Sequence, residues 1–363
     1  MRFTHDTLGQ TVVLEAGAAA QHLVMEVERL GASRVMLVAG SSAARHADRL
    51  ATRLPVVVRW DDVAQHVPLD LAERARTTAE RAAVDLLVCV GGGSAVGLAK
   101  AVALTHRLPI VAVPTTYAGS EATAVWGLTE DRTKRTGSDP GVLPRTVVYD
   151  SDLTLDLPVD LSVASGLNAL AHSVDTLWAD GADPVNEALA LEGARALAVG
   201  LPMVVADPRG REGRDRCLYG GYLAATAFAS AGSGLHHKIC HVLGGTWDLP
   251  HAATHAVVLP HVLALNAPAV PRVAGRLACA LGGTPGTNPA AAAVTALEAL
   301  RDAVSPPRAL REIGMPEDGL DEAVRRVLAV VPASNPVAVT AGDLRALLRA
   351  AWEGADPTPR STP

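Results

Sequence analysis

The chain has 363 residues, 49% of them hydrophobic, and a formal charge of −6; that length suggests two domains and supplies ample apolar material for a core. The acidic balance speaks against a generic nucleic-acid or anionic-membrane surface. Four scattered cysteines (Cys89, Cys217, Cys240, Cys279) without a CxxC pair speak against a disulfide framework and fit a reducing cytoplasm. The opening MRFTHDTLGQ lacks the basic and apolar regions of a secretory signal, and no apolar run of about 18 residues marks a membrane span.

In chain order, the first 150 residues alternate β-branched runs with helical stretches. Strands are expected at Val35–Val38, Val56–Trp60, Asp85–Val90, Ile110–Val113 and Thr146–Tyr149, with helices such as Asp70–Ala83 and Ala95–Thr105 between them. This rhythm predicts βαβ units and a buried parallel sheet. From about Leu161 the β signal fades and Ala-rich helical periodicity takes over. The expected organisation is an α/β domain over 1–155, a helical domain over 156–353 and a disordered tail over 354–363, with an active site in the cleft between the domains.

Within the α/β half, DLLVCVGGGSAVGLAK (85–100) runs an apolar strand into a glycine-rich turn and then a helix. Glycine lets backbone approach a phosphate closely, and the unpaired N–H groups at the helix start carry the positive end of its dipole. Gly92, Gly93 and Ser94 are therefore candidates for a pyrophosphate site. The next strand leads into PTTYAGSEATAVWGLTE, where Thr115, Thr116 and Ser120 offer hydroxyls to a nucleotide and Tyr117 offers a hydrogen bond to a substrate. The first strand's end, VMLVAGSSA, has no acidic residue for a ribose 2′-hydroxyl, so either NADH or NADPH is admissible.

Within the helical half, six of the twelve histidines (His236, His237, His241, His251, His255, His261) fall in one stretch of 26 residues. Imidazole is the side chain best suited to metal ligation or proton transfer near neutral pH. Asn168 and His172 are four apart, as are His237 and His241, so each pair shares a helix face. His251 follows Pro250 at an expected helix entry. If these helices face one another, Asn168, His172, His237, His241 and His251 converge; His255 and His261 remain open between supporting and packing roles. Lys238, Arg132, Lys134, Arg135 and Arg145 are candidate partners for substrate carboxylates.

The motifs GGGSAVGLAK, PTTYAGSEATAVWGLTE, LPRTVVYD, ASGLNALAHSVDTLWA and LHHKICHVLGGTWDLPHAATHAVVLPH resemble those of the iron-containing (group III) alcohol dehydrogenases, and within them the maleylacetate reductases. The resemblance runs from about Phe3 to Trp352. It implies a dehydroquinate synthase-like fold: a Rossmann-like dinucleotide-binding domain followed by an all-helical catalytic domain. It further implies reduction of the dicarboxylate maleylacetate to 3-oxoadipate with NADH or NADPH, in a cytoplasmic homodimer. The alternative is a metal-dependent alcohol or aldehyde dehydrogenase of the same superfamily. Metal-dependent members hold one divalent ion with an Asp and three His, positions that match Asn168, His172, His237 and His251 here. Asn168 replaces the only anionic ligand, and Gly97 stands where many metal-dependent relatives have Asp. The expectation is thus a degenerate metal site and no required metal, with His241 and His251 polarising the substrate and donating its proton. His172 and His237 are expected to line the pocket and help bind carboxylate.

Overall fold

The computed structural model describes residues 2–7, 9–130 and 133–359, without the side chains of residues 133 and 134. Two compact units are present: an α/β unit of residues 7–157 and 209–218, and a helical unit of residues 1–6, 158–208 and 219–363.

The α/β unit carries β1 (Thr11–Leu14), α1 (Ala19–Arg29), β2 (Val35–Val38), α2 (Ala44–Ala51), β3 (Val56–Trp60), α3 (Leu69–Arg81), β4 (Leu86–Gly91), α4 (Gly93–His106), β5 (Ile110–Pro114), β6 (Val125–Glu130), β7 (Thr133–Ser138) and β8 (Thr146–Tyr149). Six strands form a parallel sheet in the order β1-β8-β5-β4-β2-β3. Strands β2, β4 and β5 are buried throughout, as parallel strands covered on both faces must be. Their alternation sorts the core. Met36, Val38, Leu87, Cys89, Ile110 and Ala112 pack with α3 and α4, whereas Val35, Leu37, Val88, Val90, Val111 and Val113 pack with α1 and α2. Chain connections diverge between β2 and β4, so the C-terminal end of β4 lies at the topological switch point, where ligands bind in sheets of this kind.

Two elements differ from expectation. Strand β1 is a four-residue edge strand of mixed exposure, too short and too exposed to stand out by composition. The WGLTE segment is not a loop but β6, paired antiparallel with β7. The polar run TKRTGS hides this hairpin, whose register sets Trp126 opposite Gly137.

The helical unit carries α5 (Val159–Thr176), α6 (Pro184–Ala206), most of α7 (Arg211–Ala231), α8 (Leu235–Trp247), α9 (His251–Asn266), α10 (Pro271–Ala280), α11 (Pro289–Val304), α12 (Leu320–Leu328) and α13 (Ala341–Glu353). Helix α5 is buried on every side from Ser162 to Thr176 and packs chiefly on α6 and α9; a helix without a polar face belongs in a core. Helices α8, α9, α12 and α13 share a second apolar core. Helix α6 is long and apolar enough to cross a membrane, with a mean hydropathy of 1.6, contrary to the sequence expectation. Half of the window concerned is buried inside the protein, which is how a core helix behaves. Residues 355–359 form no helix or strand, and residues 360–363 of the expected tail lie outside the described residues.

The units are not contiguous blocks of sequence. Residues 209–218 rejoin the α/β unit, where Arg211 pairs bidentately with Asp152 at 2.6 and 2.7 Å. Arg214, wholly buried, donates to the Leu157 carbonyl at 3.0 Å. Such an excursion leaves no compositional mark.

Candidate active site

The candidate cofactor region of the α/β unit is made by backbone. Gly91 ends β4 with φ +148°, a conformation that L side chains rarely adopt. Gly92 is the N-cap of α4, which has no side-chain cap of its own. A Cβ on Gly92 would lie 3.0 Å from Thr116 Cγ2, so only glycine admits the threonine this closely. The Thr115 N–H donates to the Gly91 carbonyl at 3.0 Å, tying the end of β5 to the turn. Gly92, Gly93, Ser94, Thr115, Thr116 and Ser120 are all partly exposed, between buried Ala95, Pro114 and Tyr117. Unpaired N–H groups at the start of a 14-residue helix, with hydroxyls beside them, suit an anionic diphosphate.

Lys100, which the sequence reading did not single out, fixes the loop after β5. It is fully buried, and its Nζ donates to the carbonyls of Ser120 (2.6 Å), Thr123 (2.8 Å) and Val125 (2.9 Å) and to Thr123 Oγ1 (3.0 Å). Burial pulls its ammonium down to about 7, against the nearby Glu121 carboxylate, which favours the charged form. A lysine inside the apolar helix AVGLAKAVAL was the available signal.

Tyr117 does not serve as expected. It is 1% exposed, its hydroxyl accepts from Arg214 Nη1 at 3.0 Å, and burial pushes its pKa up to about 12. It is a packed residue of the α/β unit rather than a donor facing a substrate. Of the candidate cations, Lys238 is half-buried and Arg145 exposed. Arg135 pairs with Glu130 at 2.9 Å. Arg132 and the Lys134 side chain lie outside the described residues.

The candidate catalytic region of the helical unit is made by side chains. Helix α5 presents Asn168 and His172, α8 presents His236, His237 and His241, and α9 opens with His251 and carries His255 one turn on. The rings converge: His172 stacks on His237 with centroids 4.9 Å apart, His241 and His251 are both at 6.2 Å from a neighbour in the chain His237–His241–His251, and His251 meets His255 at 4.4 Å. Phe228 of α7 closes the group against His172 and His237. His236 and His255, left open or unplaced by the sequence, are fully buried and hydrogen-bond to one another through His236 Nε2 and His255 Nδ1 at 2.8 Å. His261 stands apart; burial, aided by Arg301, lowers it to about 4.

Exposure grades across the set. His241 and His251 are exposed, whereas Asn168, His172 and His237 are 3, 9 and 3% exposed. Burial lowers His172 to about 4 and His237 well below its ordinary value, so both are neutral at pH 7. Any help they give in binding a carboxylate is then by hydrogen bonding alone: a neutral ring attracts no anion by charge, and the His237 Nδ1 proton is already given to Asp175 at 2.7 Å. Asp175, three residues beyond His172, is the main residue the sequence reading missed.

The fit to a divalent ion is poor. The matching positions Asn168, His172, His237 and His251 supply three neutral rings and an amide, with no anion to offset a dication. Among the described residues, the His, Cys, Asp and Glu donors gathered within 4.8 Å of one another are those of His236, Cys240 and His255, not those of His172, His237 and His251. Asn168 Oδ1 and His237 Nε2 are buried without a hydrogen-bond partner, leaving their lone pairs available to an O–H or N–H of a ligand.

Residues 10–151 match the family described as iron-containing alcohol dehydrogenase, and residues 162–352 match the Fe-containing alcohol dehydrogenase family, C-terminal. The chain belongs to the iron-containing alcohol dehydrogenase family. It is an oxidoreductase, and the resemblance seen in its motifs holds over the whole chain. It is 43% identical over 359 residues to a maleylacetate reductase of Sphingobium indicum, covering 98% of this chain and 99% of that one. Among solved structures it is similar to an iron-containing alcohol dehydrogenase of Corynebacterium glutamicum, with TM-score 0.95 and 55% identity over 98% of each chain. A maleylacetate reductase of Agrobacterium tumefaciens superposes with TM-score 0.92 at 37% identity, covering 98% of this chain and 100% of that one.

Proposed function

We propose that this enzyme reduces maleylacetate to 3-oxoadipate at the expense of NADH or NADPH, without a required metal. The reading is carried by Asn168 and the histidines around it: an amide stands where a metal enzyme would place its anionic ligand, and the imidazoles beside it can hydrogen-bond to a substrate. The maleylacetate reductase relatives support it at 38–45% identity over nearly the full length.

A reduced nicotinamide, when bound, would supply a hydride to the alkene carbon β to the ketone. The double-bond electrons move through the adjacent carbons to the ketone oxygen, forming an enolate. A proton then adds at the α carbon, so that one reduced cofactor and one proton are consumed. The glycine turn with Thr115, Thr116 and Ser120 would hold the cofactor diphosphate. His241 and His251, the exposed members of the set, meet the substrate: one donates to the developing enolate oxygen and the other delivers the proton to carbon. Enolate stabilisation of this kind needs a well-placed donor, not a cation. Lys238, half-buried and next to His237 in the chain, is a cation available to a substrate carboxylate.

A metal-dependent reduction of another carbonyl is the second reading; the 55% identity to a protein titled iron-containing alcohol dehydrogenase favours it. A panel of oxo-enoates, aldehydes and ketones, followed by loss of nicotinamide absorbance with the product identified by mass spectrometry, separates the two. Stoichiometric cofactor oxidation with maleylacetate and formation of 3-oxoadipate are expected. Turnover of simple aldehydes but not of maleylacetate would reverse the choice.

A further inference from the structure

We infer that Asp175 is a positioning residue that fixes His237 as the Nδ1–H tautomer and so turns Nε2 into a hydrogen-bond acceptor. Asp175 lies on α5 and is wholly buried. Its Oδ2 accepts from three donors: the Gly234 N–H at 3.0 Å, the His237 N–H at 3.1 Å and His237 Nδ1 at 2.7 Å. Its Oδ1 accepts from the His236 N–H at 3.3 Å. Helix α8 has Gly234 as N-cap and no side-chain cap of its own, so Asp175 reaches across from a different helix to take the N–H groups that a capping side chain ordinarily takes.

The fit is specific to these residues. A Cβ on Gly234 would lie 2.5 Å from Asp175 Oδ1, so glycine is what makes room for the carboxylate. Three of the four groups facing Asp175 are main-chain N–H donors, and the fourth is His237 Nδ1. A carboxylate accepts from all four, whereas a protonated Asp175 could place its O–H only on His237 Nδ1 and would be a weaker acceptor for the main-chain N–H groups, so the carboxylate is the form this pocket fits. The carboxylate in turn holds the His237 proton on Nδ1, and ring orientation follows from having both the main chain and the ring of one residue bound to one oxygen. A carboxylate behind a functional histidine commonly sets tautomer and orientation in this way.

The consequence divides the histidines by role. His237 Nε2 is buried and without a hydrogen-bond partner, and in this tautomer it carries a lone pair. It therefore accepts an O–H or N–H from the bound molecule and does not donate to an oxyanion. Donation to the enolate falls to His241 and His251. This division rests on the proposed reduction; the tautomer itself does not.

The test is the ring-nitrogen NMR spectrum of the enzyme labelled with 15N-histidine, the His237 signals being assigned by their loss in His237→Gln. Nδ1 protonated and Nε2 bare is the expected state; the opposite tautomer, or a mixture of comparable populations, overturns the inference. In Asp175→Asn the amide can turn a donor toward Nδ1. The His237 proton should move to Nε2, and kcat should fall about 10- to 100-fold with the NADH dissociation constant unchanged. A shift of the proton with kcat within about twofold of the parent would show that the tautomer has no bearing on turnover. Should Asp175→Asn fail to fold, the parent's ring signals still decide the tautomer. They do so even if maleylacetate proves not to be the substrate.

Discussion

The two units each carry a candidate functional region, and these two halves of the machinery are built from opposite materials. The glycine turn at the end of β4 is a backbone site: its donors are N–H groups, its shape is set by the absence of side chains at Gly91 and Gly92, and its charge preference comes from a helix dipole. The histidine set is a side-chain site: three helices bring six rings together, and exposure rather than sequence position decides which rings can act. A backbone site tolerates many side-chain changes around it but no Cβ within it. A side-chain site can lose one member and keep its shape while losing its chemistry.

Substitutions should expose that difference. The largest effect is expected at the rings that meet the substrate: His251→Ala or His241→Ala should lower kcat about 100- to 1,000-fold with NADH binding retained, as loss of one oxyanion donor commonly does. Steady-state kinetics beside a fluorescence titration of NADH checks this, and a loss confined to cofactor affinity would erase the distinction between the halves. A smaller and complementary effect is expected from Gly92→Val. A side chain there meets Thr116 and disturbs the donors to the diphosphate. A loss of about 1.5–3 kcal/mol, the scale of one hydrogen bond to a charged group, should appear in the NADH dissociation constant. Turnover at saturating cofactor should stay near the parent value.

The smallest effect concerns stability and uses His261, which lies apart from both the glycine turn and the histidine set. Its pKa is about 4 in the fold and about 6.5 in the unfolded chain. Between those values the unfolded chain binds a proton that the fold does not, so stability is full above pH 6.5 and declines as pH falls toward 4. The decline is up to about 1.4 kcal/mol per pH unit. His261→Gln, if it folds, should flatten the acid limb of the melting temperature against pH by one such contribution; an unchanged slope would mean that His261 is not held neutral.

What the sequence showed and what it hid follow the same division. Strands β2, β3 and β8 have the bounds expected from their β-branched runs, and the glycine turn was visible because a phosphate cradle is a local pattern. Spacing of four residues placed Asn168 with His172 and His237 with His241, and the Pro250–His251 helix entry was also legible. What escaped depends on contacts distant in sequence. Asp175 carries its meaning only because α5 passes the start of α8, and Lys100 only because the loop after β5 turns back over α4. His255 had no reason to be placed beside His236 until α8 and α9 were packed. Tyr117 failed in the other direction: its place on the loop beside the cofactor turn suggested a donor, and only the buried Arg214 from a distant part of the chain shows it to be engaged. The β6–β7 hairpin was lost to the polar composition of β7.

The account turns on whether the histidine set works by hydrogen bonding or by a held cation. The most direct measurement is turnover of maleylacetate by enzyme stripped exhaustively with a chelator, with the metal content of the same sample determined by elemental analysis. The account predicts undiminished turnover with iron and zinc far below one per chain. Turnover that disappears on stripping and returns on addition of iron or zinc would contradict it.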